Sequence, residues 1–254
     1  MRILLTNDDG FFAQGLQTLL QVLDEEGSFD VNVVAPDSQK SATGHSITLF
    51  EPIFITEHLL KNGNIGYAVR GNPADCVKLA IQGEIIPRPD VVISGINNGP
   101  NLGTDVFYSG TVSAAMEGVL LGIPSLAVSL AGFDVADYGD AARFVCKFLK
   151  EKYNLREMGL TNINIPACSS KEWKGIKFTK LGKALYLNVF DHRLDPHGRQ
   201  YFWQSGSLAP ETDPDTDLYA IQEKYISITP MHSDLTDYAK LNVWVKKNHK
   251  EGVQ

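Results

Sequence analysis

Over its first 150 or so residues the chain alternates short apolar runs with amphipathic stretches, and this restricts the fold more than any other feature. Residues 2–6, 31–35, 91–94 and 125–129 read as strands, with further strands near 53–56 and 67–70. Between them, Phe12, Leu16, Leu19, Leu20 and Leu23 recur at helical spacing, with Gly27 as a stop. In Gly71-Asn72-Pro73-Ala74-Asp75, Asn72 can cap a helix, Pro73 suits its first position and Asp75 lies near its positive end. Cys76, Leu79 and Ala80 supply that helix's apolar stripe. Two more stripes are Val112, Ala115, Met116, Val119, Leu120 and Ala141, Phe144, Val145, Phe148, Leu149. Strands alternating with helices join by right-handed crossovers, which gives a Rossmann-like three-layer α/β/α fold with a mostly parallel sheet.

Beyond about position 160 the pattern changes. Residues 162–165, 175–180 and 225–229 read as strands. Residues 188–217 are polar and rich in aromatics, including Phe190, Tyr201, Phe202 and Trp203, with Tyr219 just beyond. Without helical periodicity these suggest hairpins or an arm that needs a partner surface. Glu211, Asp213, Asp215 and Asp217 can be a metal loop or simply Asp-Pro turns in a solvated loop.

The formal net charge of −7 argues against a nonspecific grip on nucleic acid. It also requires that an anionic substrate find local help from a metal or a helix N-terminus. Cys76, Cys146 and Cys168 are too few and too scattered for a disulfide frame, and the first and second are expected as buried free thiols. Asp8 and Asp9 interrupt the opening apolar run, so it does not read as a secretory leader, and no run approaches a membrane span. A cytoplasmic location is the expectation.

In open parallel sheets ligands bind beyond the carboxyl ends of the strands, and the polar, chemistry-bearing segments fall there. Asn7-Asp8-Asp9-Gly10 follows the first strand; adjacent carboxylates repel unless a cation lies between them, and Gly10 permits the turn that sharing one requires. Alone, Asp9 is explained as a helix cap. The segment 36–46, with Ser41 and His45, follows the second strand, and Gly95-Ile96-Asn97-Asn98-Gly99-Pro100-Asn101 follows 91–94. Ser41 and Asn97 are neutral oxygen donors that can complete a hard-metal shell, or they form turns. Ser109-Gly110-Thr111 precedes a helix and can cradle an anion, or it only caps that helix. His45 can be a general acid, a phosphate ligand or a packing residue. Asn72, Asp75 and Asn101 can line a pocket, although capping and turns also explain them. His192, His197 and His232 lack zinc spacing.

The chain lacks a Walker A loop, a G-x-G-x-x-G after its first strand and a G-x-S-x-G elbow, which argues against a P-loop ATPase, a dinucleotide fold and an esterase. Gly10 and Phe11 stand where an aspartyl-nucleophile phosphatase would need its second acid.

Taken in order, the motifs at 6–10, 35–46, 71–77, 94–101 and 108–112 closely resemble the SurE family of survival-protein 5′-nucleotidases. The match is strong over the first half of the chain and weaker beyond it. The resemblance implies one SurE-like α/β domain over 1–254, with a site-bearing core over about 1–160. The C-terminal strands, arm and last helix over about 161–254 would then make a homodimer or homotetramer. It implies a phosphatase of nucleoside monophosphates dependent on Mg²⁺ or Mn²⁺. Asp8, Asp9, Ser41 and Asn97 would be metal ligands, and Ser109, Gly110 and Thr111 would bind phosphate. Asp8 or Asp9 would also accept a proton from water. Terminal phosphate release from short polyphosphate, and nucleotide binding without turnover, are the alternative readings.

Overall fold

The computed structural model describes residues 1–133, 137–151, 155–187 and 189–251. In chain order the elements are β1 (Arg2–Thr6), α1 (Gln14–Glu26), β2 (Asp30–Pro36), β3 (Phe54–Leu59), β4 (Ile65–Arg70), α2 (Pro73–Gln82) and β5 (Val91–Asn98). A 3₁₀ turn (Gly103–Phe107) leads into α3 (Gly110–Leu120), β6 (Ser125–Ala131), α4 (Gly139–Lys150), α5 (Leu155–Met158) and β7 (Leu160–Pro166). The remainder comprises β8 (Ile176–Phe178), β9 (Tyr186–Leu187), β10 (Phe190–Leu194), β11 (Gln200–Gln204), β12 (Ser207–Leu208), α6 (Asp217–Gln222), β13 (Ile226–Met231) and α7 (Tyr238–Glu251).

Nine strands form one sheet in the order β3-β4-β2-β1-β5-β6-β7-β13-β8. All its pairings are parallel except β3 with β4 and β13 with β7. Successive residues of a strand point to opposite faces. Ile3 and Leu5 therefore join the core beneath α1 and α4, whereas Leu4 joins the core with Val77 of α2 and Ala114 of α3. Burying each such leucine contributes roughly 1.5–3 kcal/mol. The α/β fold expected from the alternation is the one observed. Cys76 and Cys146 are buried free thiols. Among the described residues no helix is long and apolar enough to cross a membrane.

The chain departs from the sequence expectations in informative places. Phe12 lies outside α1 and is exposed, while Phe11 is buried. The segment after β1 first closes a turn, in which Asn7 Nδ2 donates to the Gly10 carbonyl and Asn7 Oδ1 accepts from the Gly10 N–H. Helix α1 starts only after that turn, with Ala13 rather than Asp9 at its cap position. The strand expected at 53–56 runs over Phe54–Leu59, and that expected at 175–180 shrinks to Ile176–Phe178. Tyr219 belongs to α6. Asn188 lies outside the described residues.

The order of the central strands reverses between β1 and β5, since the chain builds outward from β1 through β2 and then returns to β5 on its other side. Strand β5 is longer than 91–94, running to Asn98 with a register shift against β6 between Ser94 and Asn97. Such an irregularity re-aims the residues beyond it. Gly95 permits it: φ is +144°, and a Cβ there would lie 2.3 Å from the Val128 carbonyl oxygen.

Between β8 and α6 the chain supplies the arm. β10 and β11 form an antiparallel hairpin, and β9 pairs with β12. Phe190, Phe202 and Trp203 on the hairpin are exposed, as are Leu241 and Trp244 on α7.

Candidate active site

The loops after β1, β2 and β5 and the start of α3 meet at the β1/β5 reversal, around a cleft of about 880 Å³. Asp8, Ser41, Asn97, Asn101 and Ser109 all line it. Backbone contacts set the loops against one another. The Lys40 N–H donates to the Asp8 carbonyl at 2.7 Å, and the Gly44 N–H to the Tyr108 carbonyl at 3.0 Å.

Asp8 is 4% exposed. Its carboxylate accepts from the Thr111 hydroxyl. Burial above all, with the neighbouring charge of Asp9, pushes its pKa up to about 6 against the pull of the Thr111 hydrogen bond. Asp9 is half-buried and accepts the Asn98 N–H at 3.0 Å, and burial raises its pKa too. Among the described residues no Lys, Arg or His forms an ion pair with either carboxylate. Two adjacent, partly desolvated carboxylates without a cationic neighbour make a pair that a hard cation would stabilise. Asn97 uses its amide nitrogen on the Gly99 carbonyl at 2.8 Å, so its amide oxygen is the group left for a ligand. The Ser41 hydroxyl oxygen accepts from Gln39 Nε2 at 2.9 Å. Two carboxylates with neutral oxygens are a donor set suited to Mg²⁺ or Mn²⁺. Among the described residues no cluster of three or more His, Cys, Asp or Glu suggests a softer, zinc-like centre.

Ser109 is the N-cap of α3 and accepts the Val112 N–H at 3.1 Å. Gly110 presses directly on Asp8, where an added Cβ would come within 2.7 Å of the Asp8 Cβ. The open end of α3 and the Asp8 carboxylate therefore lie in contact. Thr111 spends its hydroxyl on Asp8, which orients that carboxylate.

His45, Asn72 and Asp75 do not line the cleft. Asp75 Oδ2 accepts the Asn72 N–H at 2.8 Å and the Thr48 hydroxyl at 2.7 Å, so it anchors the loop that carries Ser41 to the start of α2. His45 pairs with Glu117 in the middle of α3.

Several residues that support the site were given no such part from the sequence. Asn162 and Asn164 on β7 both donate side-chain N–H groups to the Asn101 carbonyl, at 2.8 and 2.9 Å, and Asn164 Oδ1 accepts the Asn101 N–H. Their spacing of two in a buried strand was the available signal, because it puts both amides on one face. Asp217, one reading of which was a solvated turn, is fully buried and accepts N–H groups from Gly103 and Gly182 at 2.8 and 2.9 Å.

This constellation recurs in known proteins. The model of the survival protein SurE family matches residues 3–188. The chain belongs to the SurE family. It is 70% identical, over 95% of its length and 94% of theirs, to the 5′-nucleotidases SurE of two Desulfitobacterium hafniense strains. It is 49% identical to the 5′-nucleotidase SurE of Carboxydothermus hydrogenoformans, over 97% of both chains. The crystal structure of a SurE protein from Aquifex aeolicus superposes with a TM-score of 0.81 at 37% identity, covering 99% of this chain and 100% of that one. The SurE fold thus extends through the C-terminal half, where the motifs were weaker.

Proposed function

We propose that this SurE protein is a metal-dependent 5′-nucleotidase that hydrolyses nucleoside monophosphates to nucleoside and phosphate. The observation that carries the reading is the uncompensated Asp8–Asp9 pair, of which Asp8 packs against the open N-terminus of α3 and lines a cleft large enough for a nucleotide. The 70% identity to proteins named 5′-nucleotidase SurE supports the same substrate class.

Asp8, Asp9, Ser41 and Asn97 would hold the cation, Mg²⁺ or Mn²⁺. When bound, it supplies positive charge for the phosphoryl oxygens and acidifies water. The protein's own residues do the rest. The backbone N–H groups at Ser109, Gly110 and Thr111, at the positive end of α3, receive the phosphoryl oxygens in a preorganised cradle. The Thr111 hydroxyl holds Asp8 in one orientation. Either Asp8 or Asp9 would take the proton of the attacking water. The asparagines of β7 keep the backbone at Asn101 from shifting under substrate.

The whole chain acts as one unit in this reading, the core over about 1–160 carrying the site and the remainder joining copies of the chain. The exposed aromatics of the β10–β11 hairpin and the apolar side chains of α7 suit burial in a homodimer or homotetramer. A cytoplasmic location accords with the free thiols Cys76 and Cys146.

The test is phosphate release from nucleoside monophosphates and short polyphosphate, with chelator, Mg²⁺ or Mn²⁺, beside Asp8→Asn. Release that needs the cation and vanishes in a folded Asp8→Asn protein is the expected result. Binding of nucleotide without release under either cation would instead make the chain a binding module.

A further inference from the structure

The first turn of α1 contains a glycine that no helical preference explains. Gly15 is the second residue of α1, buried and in ordinary helical conformation. Glycine weakens a helix relative to alanine, so the reason for it lies outside the helix. That reason is a close approach. A Cβ on Gly15 would lie 2.0 Å from the Ile96 carbonyl oxygen and 3.0 Å from its carbon, with Tyr138 Cε1 at 3.1 Å. A second approach of this kind ties the same stretch of β5 to β6, where a Cβ on Gly95 would come within 2.3 Å of the Val128 carbonyl oxygen. Gly95 and Ile96 are thus gripped between α1 and β6 by backbone against backbone. Backbone atoms have no rotamers to swing aside, so such contacts transmit a displacement that a flexible side chain would absorb.

Immediately beyond this grip lie groups of the proposed cation site. The register of β5 against β6 shifts between Ser94 and Asn97. Past the shift, the Asn97 amide nitrogen donates to the Gly99 carbonyl, and the Asn98 N–H donates to Asp9 Oδ2 at 3.0 Å. One gripped segment therefore sets the amide oxygen of Asn97 and orients the carboxylate of Asp9.

We propose that Gly15 is a positioning residue for the cation: by letting the first turn of α1 seat on the Ile96 carbonyl, it fixes Asn97 and, through the Asn98 N–H, Asp9. This rests on the reading of Asp8, Asp9, Ser41 and Asn97 as ligands and extends it to the helix behind them. Gly15 itself touches neither cation nor substrate. Altering a group that orients metal ligands changes metal affinity by about ten- to hundredfold. Coupling of this kind is reciprocal, so cation binding must in turn steady the first turn of α1.

The test is calorimetric Mn²⁺ binding to the full-length parent protein, Gly15→Ala and Leu23→Ala, each well below its melting temperature. Leu23 is buried further along the same helix, so its truncation lowers stability without pressing on Ile96. Gly15→Ala is expected to weaken Mn²⁺ binding about ten- to hundredfold. Leu23→Ala is expected to melt lower yet bind Mn²⁺ as the parent does. Equal affinity in Gly15→Ala and the parent, or an equal loss in Leu23→Ala, overturns the proposal. Hydrogen exchange in the unaltered protein supplies a second reading that needs no variant to fold. The Gln17 N–H bonds to the Ala13 carbonyl in the first turn of α1, and the Gly83 N–H to the Lys78 carbonyl at the C-terminal end of α2. Mg²⁺ should slow exchange at Gln17 and Asn98 more than at Gly83; no added protection at Gln17 overturns the coupling. Weakened Mn²⁺ binding in Gly15→Ala supports the proposal even if neither cation yields phosphate release, a result that would sink the nucleotidase reading alone. A parent protein that binds no Mn²⁺ sinks the metal reading and this one together.

Discussion

His45 Nε2 lies 2.8 Å from Glu117 Oε2, and this contact joins the loop that carries Ser41 to the helix whose first turn faces Asp8. Glu117 is 5% exposed, and Lys78 Nζ approaches its other oxygen at 3.3 Å. The His45 hydrogen bond, with Lys78 adding to it, holds the Glu117 carboxyl below its usual range. A depressed carboxyl contributes stability that is complete above its unfolded value and lost as pH falls through the folded one. His45→Ala is expected to lower stability by about 1–3 kcal/mol at neutral pH. That difference should shrink as pH falls below the ordinary glutamate range. Denaturant melts across pH check this, and His45→Gln, which keeps a donor, should restore part of the loss. A constant difference down to pH 3 would show that the Glu117 carboxylate is not its source.

Asp8 behaves with the opposite sign. Its pKa rises from 3.8 to about 6 on folding, so between those values the folded protein binds more protons than the unfolded chain. Stability without a divalent cation should then fall as pH rises through that window, by roughly 3 kcal/mol for a shift of about two units. In chelator, Asp8→Asn should melt above the parent at pH 8, and the gap should close toward pH 4. Adding Mg²⁺ should raise the melting temperature of the parent and leave that of Asp8→Asn nearly unchanged. Identical melts of the two proteins in chelator at pH 8 would contradict the account.

Gly110→Ala inserts a methyl 2.7 Å from the Asp8 Cβ. Overpacking of this kind costs about 1–3 kcal/mol. Because the strain falls on Asp8, activity should drop more than stability does, by on the order of a hundredfold for a displaced reacting group. Steady-state rates beside thermal melts separate the two effects; a melt shift with unchanged kcat/KM would refute the prediction.

Asp217 receives the Gly103 and Gly182 N–H groups in a fully buried position, so it ties the 3₁₀ turn bearing Asp105 to the base of the arm. Burial still lifts its pKa despite those bonds. Asp217→Ala strands the donors at Gly103 and Gly182 and that of Leu218, and should cost about 2–4 kcal/mol. Asp217→Asn keeps one acceptor and should cost less. Hydrogen exchange at Gly103 and Gly182 offers a local reading, and unchanged protection in Asp217→Ala would show that the carboxylate does not secure them.

Much of this protein is legible without coordinates because its signals are local. Strand and helix periodicity repeats within a few residues, so the layering was readable, as was the placing of Asn7-Asp8-Asp9-Gly10 and 95–101 after strands. The order of SurE motifs identified the family and the residues proposed as ligands. Partnership across the sheet had no local signal. Thr111 could be seen only as a cap or cradle residue until β1 and β5 were adjacent and its hydroxyl met Asp8, 103 residues away in sequence. Asp217 looked like part of an acidic turn until folding brought it to Gly103, 114 residues distant. Phe12 fitted a helical stripe, but the Asn7–Gly10 turn delayed α1 and left its ring in solvent. Sequence alone determined which chemistry lies at the strand ends, since periodicity and motif order are properties of neighbouring residues. Strand order and burial determined which of those groups touch and which carboxylates lack a counter-charge, because such contacts depend on residues far apart in the chain.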